Sequence, residues 1–136
     1  MDAAGLKTFA TGYSTAWCSQ QPANVARFFS EDGSLTINGG TPSVGRTAIA
    51  SAAREFMAAF PDMVVTLDAV IGDGVRAVFR WTLSGTNTGP GGTGKVVRIS
   101  GYEEWTLGDD GLIAKSLGHF DEREYRRQLS EGVRTP

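Results

Sequence analysis

Among 136 residues, one carboxylate stands where its surroundings alone would give it chemistry. Glu103 shares strand parity with Val97, Ile99, Gly101, Trp105 and Leu107, a face that otherwise reads as core. A carboxylate there is costly when charged, so its proton affinity rises, and the neutral acid can donate a hydrogen bond to a substrate oxygen. Two plainer readings compete: a register one residue off, which buries Glu104 instead, or an ion pair between Glu103 and an arginine. His119 is the only histidine and hence the default general base. It shares parity with Leu117 and Asp121, opposite Gly118 and Phe120, which favours a sheet face or a contact between copies over catalysis. Arg80 turns outward by the same reasoning, because Val75, Ala77, Phe79 and Trp81 claim the inner face. Tyr13 shares a helix face with Phe9 and Trp17, so it is either a hydroxyl donor into a pocket or an aromatic core residue.

Other chemistries drop out. Cys18 is the single cysteine, which excludes an internal disulfide and a cysteine-based zinc site; neither metal nor cofactor is expected. The run Gly89 to Lys95 lacks the spacing and the following helix of a phosphate loop and reads as a hairpin connection, with Asn87 a turn residue before it. Thirteen Lys/Arg against 15 Asp/Glu leave a net charge of −2, too balanced to attract nucleic acid or an anionic membrane. The uncharged stretch from Thr8 to Ala26 is full of Thr, Ser and Gln, so it cannot span a membrane. The start, MDAAGLK, does not read as a signal peptide, and a cytoplasmic protein is expected.

The elements that position these residues follow from periodicity. Leu6, Phe9, Ala10, Tyr13 and Trp17 recur at helical spacing. Pro22 opens a short second helix through Phe28 and Phe29, closed by a turn at Glu31-Asp32-Gly33, and Ser34 to Ile37 is a strand stub. Thr47 is the expected N-cap of a third helix carrying Ile49, Ala53, Phe56 and Phe60, stopped by Pro61. From Met63 the period becomes two: Met63, Val65, Leu67, Ala69 and Ile71 form one apolar face, and Val75 to Leu83 another. The long strand bearing Glu103, a fourth strand from Leu112 to Phe120 and a charged helix from Glu122 to Leu129 complete a single domain over residues 1–136. Helices first and hairpin-linked strands after are an α+β plan, an antiparallel sheet curled over helix stripes to leave an apolar mouth.

At the level of motifs, Phe28-Phe29-Ser30-Glu31-Asp32-Gly33, Gly45-Arg46-Thr47-Ala48-Ile49, Ala59-Phe60-Pro61-Asp62, Arg80-Trp81-Thr82, Gly85-Thr86-Asn87-Thr88-Gly89-Pro90 and Phe120-Asp121 with Arg127-Gln128-Leu129 occur in order. This set resembles the SnoaL-like branch of the nuclear transport factor 2-like superfamily. The resemblance implies helices on a strongly curved sheet, a cone with an apolar pocket, and a homodimer packed through the sheet. Relatives include ketosteroid isomerases, polyketide cyclases, limonene epoxide hydrolases and proteins that only bind. By ungapped alignment with the isomerases, Tyr13 and Glu103 fall on the pair that holds an oxyanion, while Ile37 falls on the base. Gly118 stands where cyclases have an Asp, and Glu103 where they have a His. Of the epoxide hydrolases' Asp-Arg-Asp set only Arg80 is matched, with Thr82 and Gly118 in place of the carboxylates. Asn87 stands where relatives often have His.

The expected site therefore has Tyr13 and Glu103 as catalytic residues, and Trp17, Leu35, Ile37, Phe56, Phe60, Phe79, Trp81, Trp105, Gly118 and Phe120 around the ligand. The expected partner is a small apolar carbonyl compound of steroid, polyketide or terpenoid type, undergoing proton transfer as in an isomerase or cyclase. A non-catalytic binding protein, an epoxide hydrolase-like enzyme and an interaction subunit are the alternatives. The expected interface between copies is the mixed face with Val78, Arg80, Thr82, Val96, Tyr102 and Leu117.

Overall fold

The computed structural model describes residues 1–133, so the last three residues of the expected domain lie outside the described residues. Helix α1 (Ala3–Trp17) starts where Asp2 accepts a hydrogen bond from the Gly5 amide at 2.7 Å, an N-cap for an otherwise unpaired donor. Its stripe of Leu6, Ala10, Tyr13 and Trp17 is buried. Helix α2 (Pro22–Ala26) has its proline in the first turn, where the missing amide costs nothing.

Strand β1 (Phe29–Ile37) corrects the expected helix end and turn. Phe29 pairs with Ile113, and a register shift before Ser34 takes up the Glu31-Asp32-Gly33 segment inside the strand. After β2 (Ser43–Val44), helix α3 (Arg46–Ala59) begins two residues earlier than expected. Gly45 at φ 88° takes the cap position in place of Thr47, since only glycine adopts that angle without strain.

Strands β3 (Val64–Gly72), β4 (Arg76–Thr86), β5 (Val96–Leu107) and β6 (Ile113–Phe120) pair antiparallel in succession, and α4 (Glu122–Glu131) follows. The sheet order is β2-β1-β6-β5-β4-β3, an open six-stranded sheet with four helices, and the α+β plan holds. One pairing departs from it: β1 lies parallel to β6. A register shift at Asp68 also breaks the expected face of β3. Val70, not Ala69 or Ile71, comes opposite Phe79, and Ile71 is 76% exposed. A single inserted residue exchanges the two faces of everything beyond it. Val75 precedes β4 and is likewise exposed. Among the described residues no helix is long and apolar enough to cross a membrane.

The register sets the inner face in rows. Ala77, Trp105, Ser116 and Leu35 form one; Val70, Phe79, Glu103, Gly118 and Ile37 the next; Leu67, Trp81, Gly101 and Phe120 a third. A Cβ at Gly101 would press on the backbone oxygen of His119 and fall 2.5 Å from Trp81 Cζ2. Replacing Gly101 by Ala should therefore push the indole aside and destabilise the protein by about 1–3 kcal/mol in urea unfolding. Unchanged stability together with unchanged near-ultraviolet dichroism would show that the ring does not need this gap.

Candidate functional site

Glu103 comes from the middle of β5, where uninterrupted alternation carries it inward between Phe79 on one neighbouring strand and Gly118 on the other. It is 7% exposed. Its carboxyl is used unevenly. Oε1 accepts from Ser116 Oγ at 2.7 Å, from Trp105 Nε1 at 3.0 Å and from the Tyr13 hydroxyl at 3.0 Å. Oε2 has the Tyr13 hydroxyl alone, at 3.2 Å. Burial pushes the Glu103 carboxyl above its ordinary range, and the donors from Trp105, Ser116 and Tyr13 pull against that rise. Tyr13 is fully buried, and burial followed by the Glu103 charge holds its hydroxyl well above the usual phenol range. It remains a proton donor aimed at the carboxyl.

Next to this group lies an apolar cavity of about 60 Å³. Trp17, Leu35, Ile37, Phe56, Phe79, Trp81, Glu103, Gly118 and Phe120 wall it, together with Val65, Leu83, Ile99 and Tyr125. Three expected residues are elsewhere. Phe60 is fully buried against Tyr125 and beneath Gly85. Trp105 stacks on Phe79 at 5.0 Å, in the row behind the wall. Tyr13 reaches the site through Glu103 and is not part of the wall. A cavity that takes benzene measures about 150 Å³, so this one takes the head of a ligand, a few heavy atoms. A groove of about 500 Å³ outside shares Ile37, Phe56, Phe120 and Tyr125 with it.

Gly118 makes the space. A Cβ there would meet Thr36 O at 3.6 Å and Glu103 Cγ at 3.7 Å, ordinary contacts, so an absent side chain rather than a tight backbone leaves the gap. Ser116 and Tyr125 escaped the sequence reading of the site, as did Val65, Leu83 and Ile99 in the wall. Ser116 shares parity with Gly118, and a polar residue on that face was the signal for it. Tyr125 sits with Gln128 and Leu129 at helical spacing in a charged helix, a short stripe that marks its inner side. Among the described residues the buried indole N–H of Trp81 meets no hydrogen-bond partner, while that of Trp17 stands close enough to the Tyr13 hydroxyl to lower its proton affinity, against the larger effect of burial.

The remaining candidates lie outside the cavity. His119 Nε2 is 2.8 Å from Glu104 Oε1 on the outer sheet face, its ring beside Tyr102 at 4.8 Å. Arg80 covers the Tyr102 ring at 5.4 Å. Thr82 donates to Asp68 Oδ2 at 2.6 Å and shares a hydrogen bond with Ser100. Asn87 pins its loop, donating to Ala59 O at 3.1 Å and accepting from the Thr93 amide at 2.8 Å. No cluster of metal-ligating side chains occurs among the described residues.

Residues 10–116 match the SnoaL-like domain. The chain belongs to the SnoaL-like family. Solved structures share its fold. TsrD from Streptomyces laurentii is 21% identical with a TM-score of 0.81, over 95% of this chain and 97% of that one. A ketosteroid isomerase-like protein from Catenulispora acidiphila DSM 44928, solved in complex with trimethylamine, is 17% identical with a TM-score of 0.80, over 94% and 97%. The epoxide hydrolase/cyclase-like enzyme SalBIII, with a role in forming the pyran ring of salinomycin, is 16% identical with a TM-score of 0.77, over 90% and 95%. No curated protein matches the chain in sequence. At these identities the likeness is one of fold, and this SnoaL-like domain's site stands on its own residues.

Because burial raises the folded pKa of Glu103 above its ordinary 4.5, the folded state holds the proton more tightly than the unfolded chain. The resulting stability is full below that ordinary value and is lost as pH rises through the raised one. Glu103→Gln keeps the shape and cannot ionise. Its stability in urea, relative to wild type, should therefore rise as pH climbs from that ordinary value through the raised one, by about 1.4 kcal/mol for each tenfold gain in proton affinity. A difference that stays constant with pH would mean that the carboxyl titrates as it does in the unfolded chain.

Proposed function

We propose that this SnoaL-like protein is an enzyme that moves a proton on a small apolar carbonyl compound, with Glu103 the group that carries it. The observation behind this reading is the one-sided carboxyl. It stands in an apolar wall with Oε1 engaged by three donors and Oε2 by one longer bond. Oε2 is the oxygen left to exchange a proton with a ligand, and Tyr13 is a positioning residue behind it. A single carboxyl suits removal and return of a proton. Hydrolysis through an activated water, as the epoxide hydrolase resemblance implies, needs further carboxylates, and Thr82 and Gly118 supply none. The cavity's volume narrows the ligand further: a short head beside Glu103, with the rest of the molecule in the outer groove. A whole steroid nucleus is too large for the inner space.

A second reading has its own support. Trp17, Phe56, Phe79, Trp81, Phe120 and Tyr125 surround the one carboxyl, the composition of a cage for a small alkylammonium ion. The trimethylamine complex of the Catenulispora protein is in keeping with it.

Exchange of ketone hydrogens with solvent deuterium separates the two. The wild type should catalyse exchange next to the carbonyl of 2-hexanone, and Glu103→Gln should lose about 100-fold or more of that rate. Gly118→Ala should keep or raise stability, because its methyl meets no close contact, yet block exchange by filling the space beside Glu103. Exchange at the Glu103→Gln rate in wild type, with trimethylammonium binding that strengthens as Glu103 ionises, would establish the cage instead.

We also propose that the outer sheet face meets a second copy. Val96 is 50% exposed there, and the row of Arg80, Tyr102 and His119, with Glu104 from the next row, joins rings to charges in the manner of an interface. Light scattering at micromolar concentration should give the mass of two chains, and a monomer mass would end this proposal.

A further inference from the structure

The three donors on Glu103 Oε1 are not alike. Tyr13 and Trp105 also build the core. The Trp105 ring stacks on Phe79 at 5.0 Å, and Tyr13 meets Trp105 and Phe79 edge-on at 5.3 and 5.2 Å. Both rings would be buried here with no carboxyl present. Ser116 brings no such area. It is fully buried on β6, in one row with Trp105 and Leu35 and diagonal to Glu103, whose direct partner is Gly118. A hydroxyl taken into such a place costs free energy unless it is hydrogen-bonded, so alanine would fit better if packing alone decided. Among the described residues the partner of that hydroxyl is Glu103 Oε1, at 2.7 Å the shortest bond the carboxyl accepts.

The geometry also fixes where the carboxyl's proton goes. Oε1 faces hydrogens from Ser116, Trp105 and Tyr13, and a proton added to it would meet all three. Oε2 has one longer bond, from a Tyr13 hydroxyl that can turn wholly to Oε1. The neutral acid is therefore protonated on Oε2, with Oε1 its carbonyl oxygen, and the bonds to Oε1 persist in both forms. Their strength changes, since a hydrogen bond to a charged acceptor is roughly twice as strong as one to a neutral acceptor. Burial holds the proton on, and each donor draws the group toward the carboxylate.

Few other titratable groups bear on it. Tyr13 of α1 bonds the carboxyl, and Tyr125 of α4 lines the same cavity, while β1 and α3 turn Leu35, Ile37 and Phe56 to it. On the strands beside Glu103, Arg76, Arg80, Arg98, Glu104, Lys115 and His119 have the other parity and belong to the outer face. Thr82 holds Asp68 on that face as well.

We propose that Ser116 is a positioning residue for Glu103: its hydroxyl holds Oε1 as an acceptor, leaves the proton to Oε2 and draws the carboxyl toward its ionised form. The inference rests on the proton-transfer reading above in taking Glu103 as the group that gains and loses a proton. Ser116 keeps its own proton throughout.

The test is made on the unliganded protein, with glutamate labelled with ¹³C at the side-chain carboxyl and the Glu103 signal assigned by its loss in Glu103→Gln. Ser116→Ala removes the hydroxyl and should raise the proton affinity of Glu103 about tenfold, so that its signal titrates at higher pH. Ser116→Thr restores a hydroxyl on the same carbon and should return the titration toward wild type. Stability gives a second readout. With Glu103 neutral, Ser116→Ala should unfold in urea close to wild type. As pH rises through the Glu103 titration its midpoint should fall behind, because the bond lost to the anion is the stronger one. A serine that only packs would lower the midpoint equally at every pH. Deuterium exchange into 2-hexanone should follow the titration, setting in at higher pH in Ser116→Ala than in wild type. A Glu103 titration unmoved in Ser116→Ala, or raised as far in Ser116→Thr, overturns the Ser116 assignment and leaves the proton-transfer reading in place. A titration that moves as stated, with no exchange by wild type at any pH, upholds Ser116 and ends that reading.

Discussion

A charged carboxyl taken from water into an apolar interior loses several kcal/mol of hydration. Each hydrogen bond it accepts as an anion returns about 1.5–3 kcal/mol. Glu103 accepts from three side chains, so loss and return are of the same size. That balance governs the site. With fewer donors the group would hold its proton more tightly, and a cation beside it would favour the charged form. The three donors come from three elements: Tyr13 from α1, Trp105 from β5 itself and Ser116 from β6. The helix must therefore cross the sheet at one height, and β6 must keep its register with β5, for the carboxyl to be held at all.

What the sequence showed depended on how local the cause was. The inward turn of Glu103 was legible because β5 alternates without a break, and the same regularity turned Arg80 outward on β4. On β3 the alternation looked equally clean, yet the register shift at Asp68 reversed the faces beyond it, and nothing in the hydrophobic pattern marks an inserted residue. The parallel pairing of β1 with β6 was invisible for a different reason. It joins residues far apart in the chain, and the Glu31-Asp32-Gly33 segment that reads as a turn is absorbed within the strand. Ser116 is the instructive omission. A serine gains meaning only from what faces it, and its partner belongs to the neighbouring strand. Phe60 and Trp105 show the converse limit, since composition separates inside from outside and does not separate a cavity wall from the core behind it.

Two glycines near the site have opposite reasons to be glycine. At Gly101 any side chain collides with the His119 backbone oxygen and with the Trp81 ring. At Gly118 there is space for a methyl group, and the space itself is the feature. The first fixes an aromatic ring as wall, and the second removes wall beside the carboxyl. Because Gly101 lies beside Trp81 and Gly118 beside Glu103, the same inner face brings the Trp81 ring and the Glu103 side chain into the wall of one small cavity.

The positions where the resemblance implies further carboxylates take on a different sense in this light. Thr82 lies on the outer face, bonded to Asp68 and Ser100, so its side chain never faced the cavity. Ile37 and Gly118 are row neighbours of Glu103. A second carboxylate at either would place like charges within a few ångström, and one of the two would be forced to hold a proton. With an isoleucine and a glycine there, the proton affinity of Glu103 is set by burial and by its own three donors. The apolar neighbours and the buried acid are thus parts of one arrangement, in which a single carboxyl stands in an apolar wall and its proton affinity is set without a second charge beside it.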